Sequence, residues 1–246
     1  EKGRSPHLLV MSATPIPRTL ALMIYGDLDV SVIGELPPGR RPVETFLVSE
    51  ALRERLNGFI RRQCSEGHQV YVVCPAVEES EDGVLRSAEA WAQTLQQSVF
   101  PDLRVGLLHG KRKSAEKDAA LAAFSAGETD ILVATTVVEV GVDVPNATLM
   151  VIENAERFGL SQLHQLRGRV GRGGAQSYCV LVSGTRQEET KKRLEALCRT
   201  TDGFQIAEQD LALRGPGDFF GSRQHGLPLL KVASLQMDLE TLQAAQ

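Results

Sequence analysis

Two kinds of hydrophobic pattern alternate along this chain. Short apolar runs rich in β-branched residues are separated by stretches whose apolar residues recur three or four apart. The first helical stretch is opened by Ser49 and runs to about Cys64, with Gly67 placed to cap its far end. Gln69-Val70-Tyr71-Val72-Val73-Cys74 then reads as a buried strand stopped by Pro75. A helix around Ala88–Val99 and a strand at Arg104–Leu108 follow. Ser114 opens a further helix, and its Gly127 lies where a C-cap would be. Ile131–Thr135, Ala147–Ile152 and Ser177–Val182 complete the set of strands. Strand and helix in turn predict βαβ units and hence a parallel sheet flanked by helices, an α/β fold.

Between the last two strands stands Gln162-Leu163-His164-Gln165-Leu166-Arg167-Gly168-Arg169-Val170-Gly171-Arg172. Taken as a helix from Leu160, it buries a stripe of Leu160, Leu163, Leu166 and Val170. Gln162, Gln165, Arg169 and Arg172 recur on the other face. A guanidinium offers phosphate a fixed fork of donors, so paired arginines with a positioning glutamine suit a polyphosphate. Glycines at 168, 171, 173 and 174 oppose a long regular helix and let backbone approach a ligand. The plainer alternative, a solvated basic helix, sits poorly with a run that contains neither Lys nor Glu.

Two flanks fall outside the alternating core. Near the amino end, a short apolar strand, Leu8-Leu9-Val10-Met11, runs into Ser12-Ala13-Thr14-Pro15. Small hydroxyl residues just past a strand end lie where α/β sheets place their sites, although a simple strand-to-turn stop has the same composition. Past Thr185 a helical stretch, Glu188–Arg199, precedes a segment from Asp210 to Gly226. That segment carries four glycines, a proline and the pair Phe219-Phe220, a composition that also fits a plain turn with its aromatics tucked away.

Composition narrows the partners. The chain has 246 residues, 42% hydrophobic and 24% charged, enough for one large domain or a domain with appendages. A net charge of −4 provides no global basic field. Nucleic-acid contact must therefore be local, through Lys111-Arg112-Lys113 or Arg167, Arg169 and Arg172. Four scattered cysteines without a CxxC read as reduced thiols, and no leader or membrane-length apolar run occurs, so a soluble cytoplasmic protein is expected.

Gln165-x-x-Gly168-Arg169-x-Gly171-Arg172 resembles motif VI of the superfamily-two helicases and translocases. In that family its arginines reach from the second RecA-like domain to the γ-phosphate. The resemblance thus implies a RecA-like parallel sheet, with Arg169 and Arg172 as catalytic fingers and Gln165 in the nucleotide site. Ile131-Leu132-Val133-Ala134-Thr135-Thr136, with Glu139-Val140-Gly141-Val142-Asp143-Val144-Pro145, resembles motif V. It implies Thr135 on a DNA phosphate and Gly141 and Asp143 at the nucleotide, where Asp143 accepts from a ribose hydroxyl or orients an arginine. For Asp143 a turn aspartate before Pro145 is the alternative. Leu108-His109-Gly110-Lys111 resembles motif IVa and implies DNA-backbone contact by His109, Gly110 and Lys111, against the rival reading of a solvated charge run. Cys74 to Ser80 matches motif IV, and neither Glu78 nor Glu79 is assigned a metal. Ser12-Ala13-Thr14 resembles motif III, which couples nucleotide state to nucleic acid. Arg214-Gly215-Pro216-Gly217-Asp218-Phe219-Phe220-Gly221, with Gln224 beyond it, resembles the translocation motif shared by fork-reversing helicases and transcription–repair coupling translocases. Its form favours the fork-reversing family and assigns Arg214 and Gln224 to coupling.

No Gly-x-x-x-x-Gly-Lys-Ser/Thr occurs, and no Asp-Glu box precedes the motif III match. The expected organisation is the tail of a first motor domain and a linker over 1–39, a second RecA-like domain over 40–185, and a C-terminal translocation element over 186–246. ATP and Mg²⁺ would then be held mainly by a first motor domain upstream, which is one expected partner, and the isolated chain would be inactive. Branched double-stranded DNA, as replication forks or four-way junctions, is the other expected partner, with no membrane role. A transcription–repair coupling motor and a non-catalytic nucleic-acid-binding module are the alternatives.

Overall fold

A computed structural model describes residues 9, 31, 33, 39–75, 88–109, 113–135 and 144–214, with side chains described as far as residue 209. Among the described residues six strands form one sheet: β1 Glu44–Val48, β2 Gln69–Val73, β3 Val105–Leu108, β4 Ile131–Ala134, β5 Ala147–Ile152 and β6 Tyr178–Val182. Their order is β1-β6-β5-β2-β4-β3, and every pairing is parallel. The parallel α/β expectation holds. The strand Glu44–Val48 has no counterpart in the sequence pattern. It lies at the sheet edge with alternating exposure, so it lacks the unbroken apolar run that marks β2, β4 and β5, all buried throughout.

The helices are α1 Arg53–Ser65, α2 Ala88–Thr94, α3 Ser114–Ser125, α4 Leu160–Arg167, α5 Glu188–Arg199 and α6 Gly203–Arg214. Successive strand residues face opposite layers. Val70 and Val72 join Leu56, Ile60, Trp91 and Leu95 in one core layer. Tyr71 meets Phe124 of α3, ring centroids 4.7 Å apart. Gly67 and Gly127 do end α1 and α3, at φ of 85° and 75°, with their N–H groups donating to Cys64 O and Phe124 O. Ser114 does open α3. A 3₁₀ turn, Glu50–Leu52, intervenes after Ser49, and neither Ser49 nor Lys113, the residue before α3, makes a side-chain cap.

The compact unit containing the sheet is Ser31–Asp202, and α6 belongs to a second unit. Helix α5 thus lies in the sheet unit, with Leu194 and Leu197 buried. Among the described residues no helix is long and apolar enough to cross a membrane.

Gly58 lies inside α1 with nothing within 4 Å of the position a Cβ would take. Gly58→Ala should therefore stabilise the fold by about 0.5–1 kcal/mol, read as a higher urea midpoint at unchanged m-value.

Candidate functional site

Parallel pairing sends every strand's carboxyl end to one edge of the sheet, and the crossovers return to the opposite edge. The two ends hold different candidate residues.

At the amino end lies the arginine element. Leu160, Leu163, Leu166 and Val170 are buried as expected, and they seat α4 on the sheet unit. Its start is closed by Gln162, whose Oε1 accepts from the Gly159 N–H at 3.1 Å. Gln162 is thus a cap rather than a member of a ligand-facing row. The helix stops at Arg167. Gly168 N–H donates to His164 O, Arg169 N–H to Leu166 O, and Gly171 at φ 76° reverses the chain. Arg169 and Arg172 therefore leave from a turn, not from a helical face. Arg172 is exposed, whereas Gln165 and Arg169 are half-buried.

The glycines of this turn serve the chain's own packing. A Cβ at Gly171 would stand 2.8 Å from Val43 Cγ2, and one at Gly173 only 2.5 Å from Pro145 O. The expectation that these two glycines admit a ligand is corrected: their space is occupied from within. The contacts fix the turn's neighbourhood. Val43 precedes β1, Pro145 precedes β5, and Glu44 N–H donates to Ser177 O just before β6. The turn carrying Arg169 and Arg172 thus lies beside the entry to β5, where the motif V match ends.

Arg167 departs furthest from expectation. It is only 4% exposed, and its Nη1 donates to Leu197 O and Thr200 O, both at 2.8 Å. It satisfies carbonyls at the C-terminus of α5, where a cation also meets the helix dipole, and it is no part of a nucleic-acid cluster. The signal was present, since Arg167 falls four residues after Leu163 and seven after Leu160, on the apolar stripe. Burial lowers its pKa and, together with the Arg167 charge, pushes the neighbouring His164 down to about 4, against an opposing pull from Asp202. His164 is neutral at pH 7.

At the carboxyl end stand His109 and Thr135, brought together by adjacent strands: Thr135 N–H donates to Leu108 O at 3.1 Å. His109 Nε2 lies 3.1 Å from Glu89 Oε1. About five residues of strand, roughly 17 Å, separate this end from the turn carrying Arg169 and Arg172. The same edge holds a pair absent from the sequence reading. Arg53 binds the buried Glu153 carboxylate through two donors at 2.6 and 2.7 Å, and its guanidinium lies 5.3 Å from the Trp91 ring centre. This pair ties the start of α1 to the end of β5.

Gly110, Lys111, Gly141, Asp143, Ser12, Ala13, Thr14 and Gln224 lie outside the described residues. Arg214 is described only as the last residue of α6. All four cysteines are free, and burial pushes Cys198 up to about 11 and Cys64 and Cys179 to about 12, so these three stay protonated at neutral pH. No group of three or more His, Cys, Asp or Glu among the described residues could hold a metal ion.

Two stability measurements check this geometry. Gly173→Ala should destabilise by about 1–3 kcal/mol through the clash with Pro145, while Gly174→Ala, with open space around it, should not. His164 has a folded pKa below its unfolded value, so the unfolded chain binds the extra proton. Stability should fall as pH drops from 6.5 towards 4, and His164→Gln should flatten that part of the profile relative to the parent in urea titrations.

Comparison with known proteins accounts for most of the chain. Residues 50–174 match the helicase conserved C-terminal domain, and residues 200–246 match the C-terminal part of domain 3 of the ATP-dependent DNA helicase RecG. RecG of Synechocystis sp. is 56% identical over 245 residues, covering 100% of this chain and 30% of that protein. RecG of Thermotoga maritima is 53% identical, covering 100% and 31%. A solved structure of RecG bound to a three-way DNA junction superposes with a TM-score of 0.76 at 48% identity, over 98% of this chain and 32% of the other. The chain spans about a third of the length of these relatives. It belongs to the helicase conserved C-terminal domain family, where its relatives are the RecG helicases.

Proposed function

We propose that this chain is the second motor half of an ATP-dependent helicase that moves on and unwinds branched double-stranded DNA. The observation that carries the reading is the finger turn: Arg169 and Arg172 leave one glycine-shaped turn beside Pro145, at the end of the sheet away from Thr135 and His109. Two ligands acting at opposite ends of one rigid sheet are what a motor that couples nucleotide state to DNA requires.

On this reading, residues 1–39 are the tail of a first motor domain and the linker, 40–185 the second RecA-like domain, and 186–246 the translocation element. ATP and Mg²⁺ belong mainly to the first domain, because this chain offers neither phosphate-binding loop nor acidic box. What this chain adds is cationic. Arg169 and Arg172 meet charge that develops on the transferring phosphoryl group, while Gln165 positions them and Gly141 and Asp143 complete the nucleotide edge. Thr135, His109, Gly110 and Lys111 engage the DNA backbone without reading sequence. Ser12, Ala13, Thr14, Arg214 and Gln224 link the two events. The cytoplasm, where chromosomal DNA and ATP meet in bacteria such as those of its relatives, is the compartment this reading requires. The near letter-for-letter RecG-like segment at Arg214–Gly221 and an alignment with a RecG protein along 100% of this chain favour a fork-acting motor over a transcription–repair coupling one.

The test is steady-state DNA-dependent ATP hydrolysis by the full-length protein. Arg169→Ala and Arg172→Ala should each lower kcat on the order of a hundredfold or more while KM for ATP changes little. Near wild-type turnover in both variants would remove the finger assignment.

A further inference from the structure

The segment that enters the sheet unit just ahead of β1 is laid along the finger turn at several points. Arg40 Nε donates to Gly171 O at 2.9 Å, and Arg40 Nη2 to Gly168 O at 3.3 Å. Gln176 Nε2 donates to Pro42 O at 3.0 Å, and Val43 fills the space a Cβ at Gly171 would need. One guanidinium thus spans two carbonyls of the turn that presents both candidate fingers. Its planar fork restrains their relative position, which a single donor could not do. One of those carbonyls is shared: Gly168 O also lies 3.5 Å from Arg172 Nε. A shift of Arg40 therefore changes the acceptor that Arg172 uses.

We propose that Arg40 is a positioning residue for the Arg169/Arg172 pair, holding the finger turn in the geometry that meets the transferring phosphoryl group. The proposal rests on the finger reading above. It adds that the residue setting the fingers lies within the sheet unit, ahead of β1, and 131 and 128 residues in sequence from the two carbonyls it holds. Misplacing a catalytic group by about an ångström costs up to a hundredfold in rate without removing it.

The experiment compares kcat and KM for ATP, with branched DNA present, in full-length Arg40→Ala, Arg40→Lys, Arg169→Ala and Arg61→Ala variants, with a melting curve for each. Arg61 is the control, an arginine paired with Asp102 and bonded to Val99 O, neither of them on the turn. Arg40→Ala should lose about tenfold to a hundredfold in kcat with KM within about twofold of the parent, and melt like Arg61→Ala. Arg40→Lys, which keeps charge and one donor but not the fork, should fall between. A wild-type kcat in Arg40→Ala, a loss carried by KM, a fully active Arg40→Lys, or a loss explained by the unfolded fraction would each overturn the proposal. If Arg169→Ala also keeps full turnover, the finger reading has failed. If it loses turnover while Arg40→Ala does not, only the positioning role has.

Discussion

The constraint on which the rest depends is that all six strands run the same way. A parallel sheet cannot place a strand's exit and its neighbour's entry at one edge, so each crossover delivers its residues to one of two ends. Thr135 and His109 leave β4 and β3 at the carboxyl end. The turn carrying Arg169 and Arg172 returns to the amino end before β6. Separation of the two candidate sites is a result of chain direction and does not depend on any single contact. The packing at Gly173 then adds precision, because Pro145 O comes so close that only glycine fits.

The arginines of this unit divide by what they meet. Arg53 is bound to a buried carboxylate, and Arg167 to the carbonyl end of α5. Arg40 spans the finger turn. All three hold the protein's own groups in place: a carboxylate, two carbonyls at a helix end and two carbonyls of the turn. Arg169 and Arg172 stand on the turn those contacts shape. The arginine-rich run thus holds Arg167, which fixes the protein's own packing, beside Arg169 and Arg172, which are proposed to act on the nucleotide.

The fold was legible wherever burial on both faces wrote an unbroken apolar run, as in β2, β4 and β5, and wherever a glycine ended a helix at positive φ. The edge strand Glu44–Val48 was not, because its alternating exposure leaves only three half-buried positions. The stripe Leu160–Val170 identified the motif VI helix, yet the close approach of Val43 to the turn at Gly171 is a contact distant in sequence that periodicity cannot contain. For the same reason glycines that resembled a ligand-facing loop turned out to be filled by Val43 and Pro145. Arg167 illustrates the opposite case. Its place on the apolar stripe is visible in the sequence, but a charged residue in an Arg-rich run reads equally as part of a basic patch. Arg40 carried no local signal, since its partners Gly168 and Gly171 are met only in the folded chain.

Hydrogen–deuterium exchange of the finger turn tests the central claim most directly. The full-length protein, bound to branched DNA, would be compared with Mg²⁺ and ADP alone and with Mg²⁺, ADP and aluminium fluoride as a mimic of the transferring phosphoryl group. The account predicts strong added protection across residues 168–174 with the mimic and little with ADP, since fingers respond to transition-state charge. Equal exchange of 168–174 in the two states, with changes confined to the carboxyl end around His109 and Thr135, would contradict it.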